Sequence, residues 1–107
     1  TFGAKADLVY HQGYPATVNS EKASEFCAEV AKEIAGSNDA VDLKPAPSMG
    51  AEDFSYMLQK KPGCYIWTGN GDTAGLHHPE YDFNDEAIAV GASYWARLVE
   101  KRLPKSP

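Results

Sequence analysis

The chain has 107 residues, 43% of them hydrophobic and 23% charged, which suffices for one small domain with a single core. Its formal net charge of −5 leaves no basic surplus to neutralise phosphates, so neither nucleic acid nor an anionic membrane is expected as a partner. No apolar run approaches the roughly 20 residues needed to cross a bilayer, and Thr1-Phe2-Gly3-Ala4-Lys5 lacks the apolar core of a signal peptide.

Lys5 to His11 reads as a strand, with Ala6, Leu8 and Tyr10 on one face. The first residue is not Met and the chain enters this strand almost at once, as a fragment would. Gln12-Gly13 interrupts the strand. Tyr14 to Val18 then resumes as an edge strand or connector, because Pro15 keeps its predecessor out of the helical region. A helix follows, capped by Asn19 or Ser20. Its Ala23, Phe26, Cys27, Val30, Ala31 and Ile34 recur at helical spacing, and Gly36 stops it.

Val41-Asp42-Leu43 alternates like a short strand, and Pro45-Ala46-Pro47-Ser48 forms a stiff loop. A second helix is expected over 51–60, with Phe54, Met57 and Leu58 inward and Glu52 and Asp53 in its first turn. Cys64-Tyr65-Ile66-Trp67-Thr68 is apolar throughout, like a strand covered on both faces. A glycine-rich loop from Gly69 to Gly75 leads into Leu76-His77-His78-Pro79. Asn84 caps the last helix, in which Ile88, Ala92, Trp95, Leu98 and Val99 mark the expected buried stripe and Gly91 permits close packing. Helix, strand, helix, strand, helix predicts an α/β layered fold.

Cys27 and Cys64 form no Cys-x-x-Cys pair, and both fall on apolar positions. Two buried thiols rather than a disulfide framework suit a reducing compartment, the cytoplasm.

Among chemistry-bearing residues, His77 and His78 stand between a strand end and a helix start, where α/β folds aim side chains at ligands. Imidazole is a common metal ligand, but loop histidines also serve as surface or hydrogen-bonded groups. Successive side chains point apart, so the two would not both face one metal. Glu52 and Asp53 can act as acid, base or ligand; at a helix start they also serve as capping and dipole residues. Asp82 and Asp85 are placed to orient His77, with Asp85 also suited to the first helical turn. Gly69-Asn70-Gly71 is not followed by Lys-Ser/Thr, which argues against a phosphate loop. A hydrolytic metal site needs several ligands and a base, and the chain offers only one good histidine loop.

Five ordered segments resemble hippurate hydrolases and the N-acyl-amino-acid and auxin-conjugate amidohydrolases, a branch of the aminoacylase and carboxypeptidase G superfamily. They are Tyr14-Pro15-Ala16-Thr17-Val18-Asn19, Met49 to Ser55, Pro62-Gly63, Leu76-His77-His78-Pro79 and Asp82 to Ala87. The resemblance implies the C-terminal part of a longer enzyme: Thr1 to about Ala16 as the last strand of a lid domain, and 17–107 as the closing portion of a zinc-peptidase-like α/β catalytic domain. It also implies His77 as a metal ligand, with Gly50, Glu52 and Asp53 bordering the substrate or supporting the ligands. His78 falls where the family varies.

The intact enzyme would hold two divalent cations (manganese, zinc, nickel or cobalt) and cleave the amide of a small N-acyl amino acid. The family's Cys-x-His pair, Glu-Glu pair and further histidine have no counterpart in this chain, so the fragment alone is expected to be inactive without the rest of the parent. An exposed lid strand would invite pairing with a second copy. The competing expectation is a stand-alone small module that binds a metal or partner through its histidine loop without catalysis.

Overall fold

The computed structural model describes residues 2–105; the expectations placed on Thr1, Ser106 and Pro107 lie outside the described residues. Three helices form: α1 over Glu21–Ala35, α2 over Phe54–Leu58 and α3 over Glu86–Arg102. No residue among those described is in a strand. The expected α/β architecture is therefore corrected to helices joined by long irregular segments.

The reason is hydrogen bonding. A strand exists only through its ladder to a neighbour, so an alternating pattern by itself cannot make one. Along Lys5–His11 every residue is exposed, and none is in a strand. Cys64–Thr68 meets a side chain in place of a ladder. The Asn19 carboxamide accepts the N–H of Tyr65 at 2.8 Å and donates to the Tyr65 carbonyl at 2.8 Å. Beside it, the Ser20 N–H donates to the Gly63 carbonyl at 2.9 Å. These contacts hold the segment against the start of α1 without building a sheet.

α1 matches its sequence reading. Ser20 precedes it in an extended conformation, and Gly36 ends it at φ 67°, its N–H donating to the Lys32 carbonyl. That left-handed position favours a residue without a Cβ. α2 is shorter than expected because it starts after Glu52 and Asp53 instead of including them. Its fully buried residue is Ser55, whose hydroxyl has no partner among the described residues, while Met57 is exposed.

α3 packs on α1, the only pair of helices in extensive contact among the described residues. The buried apolar positions of the pair are Tyr94 of α3 and Val30 of α1. The expected stripe is turned outward: Ile88 is 59%, Trp95 62% and Val99 53% exposed. Gly91 does not serve close packing either, since a Cβ there would meet nothing within 4 Å. At the rim, Glu33 of α1 accepts from Arg97 at 2.9 Å and from Lys101 of α3.

Burial is sparse. Val30 and Tyr94 are the buried apolar residues among those described, and the radius of gyration is 19.0 Å. A compact domain of this length would have about 13 Å.

Candidate functional site

The histidine loop is built by two consecutive turns. The His78 N–H donates to the Gly75 carbonyl at 3.1 Å, closing a turn whose third residue is His77. His77 has φ 68°, the one positive φ outside glycine among the described residues. That is the pattern of a type II turn, where glycine or asparagine normally stands. A second turn follows through Pro79, closed by the Tyr81 N–H on the His78 carbonyl at 3.0 Å. The His78 ring is engaged locally, its Nδ1 accepting the Glu80 N–H at 3.1 Å. No such bond engages the His77 ring among the described residues, and His77 is exposed. The two histidines are thus separated in role, as adjacent side chains should be.

What ties this loop down is Asn70, a residue the sequence reading passed over. Its Nδ2 donates to the Asp82 carbonyl at 2.7 Å, and its Oδ1 accepts the Asn84 N–H at 2.8 Å. The Thr73 hydroxyl adds a longer bond to the same Asp82 carbonyl at 3.4 Å. Asn84 in turn accepts the Glu86 N–H at 3.0 Å, which caps the start of α3. Asp82 therefore contributes its backbone, and neither Asp82 nor Asp85 is hydrogen-bonded to His77 among the described residues. An asparagine between two glycines was the available signal, since a carboxamide can mimic a backbone unit in a loop.

Glu52 occupies a separate place. Its Oε1 accepts the Phe54 N–H at 3.1 Å. That bond, followed by one from the Tyr65 hydroxyl, holds its carboxyl below the ordinary carboxylate range. Tyr65 is correspondingly pushed up, first by its bond to Glu52. Tyr65 stacks at an angle on Phe54 of α2, ring centroids 5.5 Å apart, and edge-on with Trp67 at 5.4 Å. Glu52 is thus a positioned carboxylate, and Tyr65 is its partner, which the sequence reading did not single out. Asp53 precedes α2 without capping it through its side chain. Gly50 is exposed, its N–H donating to the Ser48 hydroxyl at 3.3 Å.

No group of three or more His, Cys, Asp or Glu side chains able to hold a metal forms among the described residues. His77, Glu52 and Asp53 do not converge into a ligand set. The residues present do not by themselves fit the two cations implied by the resemblance. No described helix is long and apolar enough to cross a membrane.

Comparison with known proteins bears on this arrangement. The chain is 37% identical over 89 residues to the hippurate hydrolase of Campylobacter jejuni, covering 83% of this chain and 23% of that protein. It is 35% identical over 96 residues to the N-acetyldiaminopimelate deacetylase of Streptococcus thermophilus, covering 87% of this chain and 24% of the relative. With the N-acetylcysteine deacetylase of Bacillus subtilis it shares 28% identity over 97 residues, 91% of this chain and 24% of the relative. The chain thus spans about a quarter of the length of these curated relatives. No solved structure matches it. Peptidase family M20/M25/M40 matches residues 4–101, nearly the whole chain and all five motifs on which the resemblance rested. The chain belongs to peptidase family M20/M25/M40.

Proposed function

We propose that this chain is part of a metal-dependent amidohydrolase that cleaves the amide bond of small N-acyl amino acids of the hippurate type. His77 supplies one metal ligand, and Glu52, Asp53 and Gly50 border the substrate or support the ligands. Residues 1–16 close a lid domain and 17–107 form the end of the catalytic unit, the remaining ligands and the base lying elsewhere in a longer polypeptide. Two divalent cations, drawn from manganese, zinc, nickel and cobalt, would polarise the amide carbonyl when bound. The location is cytoplasmic, in keeping with two unpaired thiols.

The observation that carries this reading is the backbone at His77. A non-glycine residue at φ 68° costs on the order of 1 kcal/mol, and such strain persists where the surroundings impose it, often at ligand-binding positions. Here the Asn70 clamp and the two turns impose it, and the ring is left uncommitted. The names of the relatives, a hippurate hydrolase and two deacetylases of N-acetylated amino acids, support the substrate class.

The test is a chimera in which residues 4–101 replace the matching segment of the Campylobacter jejuni hippurate hydrolase. It should hydrolyse N-acyl amino acids, and His77→Ala should lower kcat/KM by at least about 1000-fold while the fold persists. Unchanged activity with full metal content in that variant would refute the ligand assignment. Tight stoichiometric metal in the 107-residue chain alone would instead favour the stand-alone binding module.

A further inference from the structure

Between α1, α3 and the segment 64–69 lies a cavity of about 450 Å³, largely apolar and open on one side. Cys27 and Cys64 both line it, half-buried and unpaired. Ser24 brings them close together. The Ser24 hydroxyl lies 3.6 Å from Cys64 Sγ, and Ser24 sits one helical turn before Cys27 on the same face of α1. Burial pushes the Cys64 thiol above its ordinary range, and the nearby Cys27 adds to the rise. Tyr94 of α3 lines the same cavity, its phenol also pushed up by burial. Neither cysteine has a place in the proposed hydrolysis.

We propose that Cys27 and Cys64 form a redox staple, closing to a disulfide under oxidising conditions and pinning α1 to the segment that carries Tyr65. The oxidant is a small-molecule disulfide of the glutathione type. One cysteine thiolate attacks a sulfur of that disulfide, forming a mixed disulfide and expelling one glutathione thiolate. The second cysteine thiolate then attacks the cysteine sulfur of the mixed disulfide and expels the other glutathione. The protons from both cysteine thiols end on the two glutathiones, so one disulfide is reduced as one forms. Burial of Cys64 makes closure slow at neutral pH and faster as pH rises, since the thiolate is the nucleophile. Closure would tie residues 37 positions apart across the α1 start, where the Asn19 carboxamide and the Ser20 N–H now hold the segment with hydrogen bonds alone.

The experiment equilibrates the purified chain in glutathione redox buffers, native and in urea, and identifies products by intact mass and peptide mapping. The native chain should lose two hydrogens, yield a Cys27–Cys64 linked peptide, and show a closure constant at least about tenfold above that of the unfolded chain. Closure should also raise the melting temperature by on the order of 10 °C, an effect lost in Cys27→Ser and Cys64→Ser. Separate glutathione adducts on each cysteine, a disulfide-linked dimer, or equal closure constants in folded and unfolded chains would overturn the staple. A bridge that leaves the melting temperature unchanged would overturn its pinning role.

Discussion

At His77 the side chain and the backbone make opposite demands. The turn favours glycine at φ 68°, whereas the proposed ligation requires an imidazole. The two can be separated by mutation. His77→Ala removes the ring and keeps the strain; His77→Gly removes both. Urea unfolding of the chain should find His77→Gly more stable than His77→Ala by about 1 kcal/mol. Both should be equally inactive in the chimera. Equal stability would mean that the turn does not strain residue 77. The His77 position was legible from the loop and its motif, but the backbone strain was not, because φ depends on where Asn70 anchors the far end of the loop. Tyr65 was illegible for a similar reason: it meets Glu52 across 13 positions of chain, and nothing in an apolar run marks one residue as a hydrogen-bond donor.

Among the elements, α1 and α3 show what periodicity determines and what it leaves open. Both helices form where their apolar spacing and end residues placed them, since capping and turn preferences act within a few residues. Which face of α3 meets α1 was misjudged. Apolar residues lie on more than one side of α3, and Tyr94 with the ion-pairing Arg97 and Lys101 took the contact. Gly91 is consequently in open space. Gly91→Ala should raise helix stability by about 1 kcal/mol, read as a higher melting temperature; a lower one would show that the position is tightly packed.

The α1–α3 rim also carries a pH dependence. Hydrogen bonds from Lys101 and then Arg97 hold Glu33 below the ordinary carboxylate range. A depressed carboxylate stabilises the folded state above its unfolded pKa, and that contribution disappears as pH falls through the folded value. Glu33→Gln should therefore lower the melting temperature at pH 7, by little because the pair is exposed and screened, and the difference should vanish in acid. A difference that persists in acid would assign the effect to packing.

Over the whole molecule, exposure dominates. Ile88, Trp95 and Val99 are exposed along α3 and Leu103 just past its end, and Phe2, Leu8 and Met49 are almost fully solvated. Exposed apolar side chains at helical spacing drive association in an isolated chain. Sedimentation should show concentration-dependent self-association of the chain, reduced by Trp95→Glu. A monomer unaffected by that change would mean that the α3 face does not drive contact.

Family membership, the helix positions and the histidine loop followed from the sequence alone, because motifs and local propensities act over short stretches of chain. The α/β class did not, although the apolar run at 64–68 and the alternation at 5–11 were correctly seen as patterns. A strand is a relation between two segments, and its hydrogen bonds must come from a partner at a particular register. At Tyr65 that partner proved to be the Asn19 carboxamide, and along Lys5–His11 the residues stay exposed. Tertiary structure decided which groups satisfy which backbone, which face of α3 is covered, and that two cysteines 37 positions apart in sequence line one cavity.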